Sequence, residues 1–252
     1  YNASLARHDS LIVVSGRAEE GLLLDVLRFE SDGTSGTERF TVEDRLPGLE
    51  LAGIDLNRDA SGALLLVAIG VNAEGVPESH VYRRAPEVDR FREVTGVEVP
   101  PLFNPEIQVV DVTGDGLLDF FVSGSRVSPQ FIEGETQLFI GMPDGTFTSS
   151  AMRFPSVAES VVDLADRDGD GDLDLLLAGL QGSPLDRTGV YYVYDGDGTG
   201  NFSLFATGSA PFGGDGGWIN GNGTGELDFV LTGRQFGLLG IYFYRGGGNN
   251  SE

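Results

Sequence analysis

"DRDGDGDLDLLLAG", residues 166–179, sets an acidic side chain on every second position from Asp166 to Asp174 and then runs into a leucine-rich stretch ending at Gly179. Carboxylates packed this densely repel one another in water unless a positive charge sits among them. The leucine-rich half decides the architecture, because a short apolar run ending in glycine recurs along the whole chain. It reads "LIVVSG" at Gly16, "LLVAIG" at Gly70, "DFFVSG" at Gly124, "DLLLAG" at Gly179 and "DFVLTG" at Gly233. The spacings are 54, 54, 55 and 54 residues. Such regularity is the mark of a repeat architecture.

Working outward from each glycine, the same signals return. A second apolar or aromatic segment follows: "GLLLDVLRFE" (21–30), "SHVYRR" (79–84), "QLFIGM" (137–142), "VYYVYD" (190–195) and "IYFYRG" (241–246). A turn and a third segment come next, opened by Phe40, Phe91, Phe147 or Phe202. A further segment, such as "IQVVDV" (107–112) or "ESVVDLA" (159–165), leads into the acidic loop. These are short β-type segments rich in Val, Ile, Phe and Tyr, punctuated by Gly, Asp and Pro. No segment keeps a helical period for three turns.

One four-stranded sheet cannot bury both of its faces alone, whereas radial stacking of such sheets covers them. The expected fold is therefore all-β, a β-propeller of four-stranded blades with repeats of about 54 residues, forming one domain over 1–252. Five strands ending at Gly16, Gly70, Gly124, Gly179 and Gly233 predict five blades, or part of a six- or seven-bladed ring. The first unit reads as short of most of its first strand and loop. The last stops after its second strand with "RGGGNNSE" (245–252). Tyr191, Tyr192, Tyr194, Tyr242 and Phe243 alternate poorly, which predicts strands buried on both faces.

The nine residues before each glycine-terminated strand align position by position. The fourth unit supplies Asp166, Asp168, Asp170, Gly171 and Asp174 at positions 1, 3, 5, 6 and 9, and the third supplies Asp111, Thr113, Asp115, Gly116 and Asp119. A hard cation such as Ca²⁺ takes about six to eight oxygens, and a tight loop can offer them from alternate side chains plus one backbone carbonyl. Side chains 1, 3, 5 and 9 are the expected ligands, with the carbonyl of Leu117 or Asp172 at position 7 closing the shell. The Asp172 carboxylate is expected to face solvent. Glycine at position 6 permits the positive-φ turn, and Leu118 and Leu173 at position 8 are expected to plug into the core.

These residues resemble the FG-GAP or VCBS-type repeats of integrin-α-like propellers, whose pattern is D-x-[DN]-x-D-G-x-x-D followed by a hydrophobic strand and glycine. Phe212 and Gly213 are similar to the family's Phe-Gly opening. The resemblance implies that the loop joins the first two strands of a blade and binds calcium there. The other loops depart from the pattern. Asn220, Asn222, Thr224, Gly225 and Asp228 carry a single carboxylate in the fifth unit; Asn57, Asp59, Ser61, Gly62 and Leu65 put an apolar residue at position 9 in the second. The second loop is expected to hold by hydrogen bonds alone, with Asp59→Ala changing neither calcium affinity nor stability. The first unit, with Ala3, Leu5 and Arg7, is expected to be metal-free. Two calcium sites, both structural, are the expectation.

Composition narrows the function. With 39 acidic and 16 basic residues the chain carries a formal charge of -23, a field that repels nucleic acid and anionic lipid. All the basic residues are arginine, and cysteine is absent, which removes disulfides and thiolate chemistry. No apolar run approaches the ~20 residues of a membrane-spanning helix, and the start at Tyr1 reads as a processed chain or an excerpt. His8 and His80 fall in different units, no nucleophile-elbow motif occurs, and no carboxylate pair stands out for hydrolysis. Trp218 reads as packing, with a sugar-stacking platform as the sharper alternative. Asn2, Asn201, Asn222 and Asn249 lie in N-x-S/T sequons, which fits a secreted chain. The expected protein is an extracellular, non-enzymatic binding or adhesion module for a glycan or protein partner, with "GSRVSPQFIEGE" (124–135) and "GLQGSPLDRTG" (179–189) as recognition connections. A structural subunit of a surface filament and the propeller domain of a polysaccharide-active enzyme are the alternatives.

Overall fold

The computed structural model describes residues 3–19, 21–31, 38–127, 132–183, 186–221, 223, 225–235 and 237–245. All regular elements among them are β-strands, arranged in five small sheets. The first holds β1 (Ala3–His8), β2 (Leu11–Ala18), β3 (Gly21–Ser31) and β4 (Glu38–Leu46). The second holds β5 (Glu50–Arg58), β6 (Leu64–Val71), β7 (Pro77–Arg84) and β8 (Arg92–Glu93). The third holds β9 (Phe103–Val110), β10 (Asp119–Val127), β11 (Ile132–Gly141) and β12 (Phe147–Ser149). The fourth holds β13 (Ala158–Ala165), β14 (Asp174–Ser183), β15 (Asp186–Gly196) and β16 (Phe202–Ser209). The fifth holds β17 (Gly216–Ile219), β18 (Asp228–Gln235) and β19 (Leu238–Tyr244). Consecutive strands are neighbours in every sheet. No helix among the described residues is long and apolar enough to cross a membrane.

The repeat read from the sequence is thus a sheet of four consecutive strands in four instances and of three in the fifth. One expectation is corrected: the first unit does have a first strand, since β1 pairs with β2 from Ala3↔Gly16 to His8↔Leu11. Ala3, Leu5 and Arg7, aligned above with loop positions, lie on this strand, and the connection to β2 is a tight turn at Asp9 and Ser10.

The recurring glycines have a steric cause. A Cβ at Gly70, Gly179 or Gly233 would lie 2.8, 2.7 or 2.5 Å from Ala52 Cβ, Ala158 O or Phe212 O respectively. The second strand of each of these sheets therefore passes too close to the start of the first for any side chain. At that start the chain turns left-handed, at Leu51 (φ 52°), Asn104 (φ 46°), Glu159 (φ 49°) and Gly213 (φ 69°). The pairings of β5 with β6 and of β13 with β14 shift register there, between Glu50 and Gly53 and between Ala158 and Val161, as a bulge requires.

The chain divides into two compact units: Tyr1–Asp111 with Gly116–Phe120 and Gly141–Thr148, and Val112–Asp115 with Phe121–Ile140 and Ser149–Glu252. In the first unit, β1 packs against β5 and β5 against β9. Val13, Leu24 and Val26 of the first sheet meet Leu49, Leu64, Leu66 and Tyr82 in one core. In the second unit β13 packs against β17, and Leu176, Tyr191 and Val193 of the fourth sheet meet Phe229 and Leu231 of the fifth.

The expectation of strands buried on both faces holds for β15 and is corrected for β19. Tyr191, Val193 and Tyr194 are buried, whereas Ile241 and Phe243 are 65% and 73% exposed. By strand register, with Val190 opposite Gly179 and Gly240 opposite Gly233, Ile241 and Phe243 stand where Tyr191 and Val193 stand. The fifth sheet packs on the fourth, and among the described residues Ile241 and Phe243 stay exposed.

In the two connections read as recognition loops, the loop reading is corrected for the described residues. Residues 180–183 continue β14 and pair with 186–189 of β15, from Leu180↔Gly189 to Ser183↔Asp186. β10 and β11 likewise run on to Val127 and from Ile132. The described parts of both connections are thus strand; residues 128–131 and 184–185 lie outside the described residues.

Candidate metal centre

The fourth acidic loop joins β13 to β14, and here the alternating carboxylates converge. Asp166, Asp168 and Asp174 each bring one oxygen to a common point, all within 4.8 Å of one another. Backbone donors organise them. Asp166 Oδ1 accepts the Gly169 N–H at 2.7 Å and Oδ2 the Gly171 N–H at 3.1 Å, while Gly171 takes the expected positive φ, 97°. Asp174 is 1% exposed; its Oδ2 accepts the Arg167 N–H at 2.8 Å and its Oδ1 the Gly196 N–H at 2.9 Å. Burial pushes the Asp174 carboxyl above its ordinary pKa, the two N–H donors pull it down, and the Asp168 charge pushes it up again. A carboxylate oxygen has a second lone pair free for a cation after accepting one such bond.

Asp170 and Asp172 stand outside this group of three. Asp170 is exposed and its Oδ1 accepts the Asp172 N–H at 2.9 Å. The Asp172 carboxylate lies against the turn at Gly198, where a Cβ would meet its Oδ1 at 2.3 Å. It is half-buried, not the solvent-facing charge the sequence suggested, because the β15–β16 turn folds over it.

The third loop uses the same scaffold. Asp111 Oδ2 accepts the Gly116 N–H at 2.8 Å, the counterpart of Asp166 and Gly171. Asp119 is fully buried and its Oδ1 accepts the Gly141 N–H at 2.7 Å, the counterpart of Asp174 and Gly196. Gly116 has φ 86°. Asp115 is exposed and Thr113 half-buried. Among the described residues, a group of three converging carboxylates forms only at the fourth loop. Leu118 plugs the core as expected, while Leu173 and Leu117 are half-buried.

The second loop closes through hydrogen bonds and an ion pair. Asp59 Oδ1 accepts Ser61 N–H and Ala63 N–H at 2.9 Å and the Ser61 hydroxyl at 2.6 Å. Its Oδ2 accepts Arg83 at 2.9 Å. The expectation that Asp59→Ala leaves stability unchanged is therefore corrected, since Asp59 is buried and staples the loop. In the fifth loop Asn220 Oδ1 accepts the Gly223 N–H at 2.9 Å, and Asn222 and Thr224 lie outside the described residues, as do Asn2 and Asn249. Trp218 packs edge-on against Phe229 with centroids 5.6 Å apart, as its packing reading held.

Sequence reasoning missed Arg167. Its side chain is buried, its Nη2 donates to Asp168 Oδ2 at 3.0 Å and Asp195 Oδ1 at 2.9 Å, and its Cζ lies 4.2 Å from the Phe205 ring centroid. The signal was in the sequence, as a basic residue at position 2 where the third loop has Val112.

Oxygen-only donors, three carboxylates in reach of one point and a positive-φ glycine suit a hard divalent cation better than a thiophilic one. Stacked small sheets with such loops between their first two strands define a repeat protein of propeller type. Residues 111–177, which hold both full loops, match the FG-GAP-like repeat family. Among solved structures, YjhT aligns over 92% of this chain and 71% of its own, with TM-score 0.56 and 14% identity. AofleA from Arthrobotrys oligospora aligns over 98% and 69%, with TM-score 0.56 and 10% identity. These propeller-like structures share the fold. A thermostable family-43 glycoside hydrolase aligns over 97% and 88% at TM-score 0.45 and 9% identity, too distant to bear on activity.

Proposed function

We propose that residues 1–252 act as one calcium-stapled β-propeller of five blades, an extracellular binding or adhesion module for a glycan or protein partner. The observation that carries the reading is the convergence of Asp166, Asp168 and Asp174 in a loop of the FG-GAP-like repeat. Calcium in the fourth loop would be held by these three with Asp170 and the Asp172 carbonyl, and in the third by Asp111, Thr113, Asp115, Asp119 and the Leu117 carbonyl. Its role is to neutralise carboxylates and fix the β13–β14 and β9–β10 hairpins. The ligands all come from the loop, which leaves little coordination space for a substrate. Extracellular calcium, about millimolar, would keep even modest sites filled.

The test pairs two measurements. Thermal unfolding in millimolar calcium and in chelator should differ by several degrees; identical curves would overturn the metal assignment. A glycan and matrix-protein array probed under both conditions should give hits in calcium. A blank array would overturn the adhesion reading and leave the structural one.

A further inference from the structure

We propose that Arg167 is a built-in cation of the fourth acidic loop: its guanidinium holds Asp168 and Asp195, keeping the loop in shape without metal and weakening the calcium the loop binds. The second clause rests on the calcium reading above; the first does not.

Position 2 is buried in the third and fourth loops and exposed in the second and fifth, where it holds Arg58 and Gly221. In the third loop it holds Val112, which is buried, and in the fourth it holds Arg167, 3% exposed. Arginine is almost never so buried unless paired. Here it is paired twice, at 3.0 Å to Asp168 and 2.9 Å to Asp195, and it stacks on Phe205 at 4.2 Å. A guanidinium is always charged and suits such a stacked, forked arrangement.

The partners change together with it. Counting from Gly196 and Gly141, Asp195 stands where the third sheet has Ile140, and counting from Phe202 and Phe147, Phe205 stands where it has Ser150. An apolar pair in one sheet is thus a charged pair in the next. The arginine is also fixed through its backbone, since its N–H donates to Asp174 at 2.8 Å and its carbonyl accepts the Leu227 N–H at 2.7 Å. It is held beside the carboxylates from both sides.

A fixed positive charge within hydrogen-bonding distance of Asp168 has two consequences. It offsets the repulsion among Asp166, Asp168 and Asp174 that would otherwise open the metal-free loop. It also competes with a divalent ion for Asp168 and repels that ion directly.

The experiment measures calcium binding by calorimetry and thermal unfolding in chelator for the parent, Arg167→Gln, Arg167→Lys and the double variant Arg167→Val, Asp195→Ile. The glutamine variant should melt about 5 °C below the parent in chelator and bind calcium about tenfold more tightly at one site. The lysine variant, which keeps the charge, should stay within about threefold of the parent's affinity. The double variant restores the third sheet's apolar pair, so it should fold in chelator and still bind more tightly, which separates charge from packing. Equal calcium affinity in parent, glutamine and double variants would overturn this inference while leaving the calcium reading intact. No binding by any of them would overturn both.

Discussion

Asp163 Oδ2 accepts the backbone N–H of Trp218 at 2.8 Å, so a carboxylate on the first strand of the fourth sheet carries the first strand of the fifth. Asp55 makes the same bond to Val109 at 2.7 Å between the second and third sheets. Each also caps the N–H of the residue after it, Leu164 at 3.0 Å and Leu56 at 2.8 Å.

Asp163→Ala strands the Trp218 N–H and should cost about 1–3 kcal/mol in urea unfolding. Asp163→Asn, which keeps an acceptor without the charge, should cost less. Burial, the largest influence, pushes the Asp163 carboxyl above its ordinary pKa. A raised carboxyl stabilises the fold most below its unfolded pKa, about 3.9, and that contribution is lost as pH rises through the folded value. The parent should therefore lose ground to the asparagine variant as pH rises above the unfolded value, about 3.9.

The position-9 aspartates serve the fold as well as any ion. Asp119→Ala and Asp174→Ala remove the acceptors of the Gly141 and Gly196 N–H groups and should each cost about 1–3 kcal/mol in chelator. Asp170→Ala removes an exposed group and should leave stability in chelator unchanged while reducing the stabilisation by calcium. Denaturation with and without calcium checks all three.

Asp59→Ala should cost about 3 kcal/mol at pH 7, by removing a buried partner of Arg83 and three loop bonds. Burial pushes this carboxyl up, but the Ser61 hydroxyl, the Ala63 N–H, Arg83 and the Ser61 N–H outweigh it and hold it below the usual range. Its contribution is present above the unfolded pKa, about 3.9, and lost as pH falls through the lowered value. The gap between parent and variant should close in strong acid. Asp197, held down to about 2 chiefly by Thr199 and Asn201, keeps its turn to lower pH still.

Leu51 and Glu159 carry left-handed backbones that Gly213 adopts at the equivalent place. A left-handed conformation costs a side-chain-bearing residue about 1–2 kcal/mol, part of which glycine returns through its freer unfolded chain. Leu51→Gly and Glu159→Gly should each raise stability by about 0.5–1 kcal/mol, and Asn104→Gly by less, as read from the urea midpoint.

The sheets were legible in the sequence because their second strands are constrained from two sides. Leu175, Leu176 and Leu177 are all buried, and Gly179 has no room for a Cβ. The loop pattern was legible for a similar reason, since Gly171 and Gly116 need positive φ and their carboxylates cap N–H groups at fixed offsets. What escaped is what spacing does not encode. Arg167 looks like a solvated charge until Asp195 and Phe205, distant in sequence, are brought to it. The Leu51 and Glu159 kinks carry no glycine to announce them, and the outer parts of β14 and β15 look like loop because Gln181, Gly182, Asp186 and Arg187 break the apolar pattern.

Because Asp119 and Asp174 hold the Gly141 and Gly196 N–H groups, the third and fourth hairpins carry a latch of their own that needs no ion. An amide makes the same cap at position 1, where Asn220 accepts the Gly223 N–H as Asp166 accepts the Gly169 N–H. The backbone contacts of these turns thus depend on a side-chain oxygen at position 1 and not on its charge.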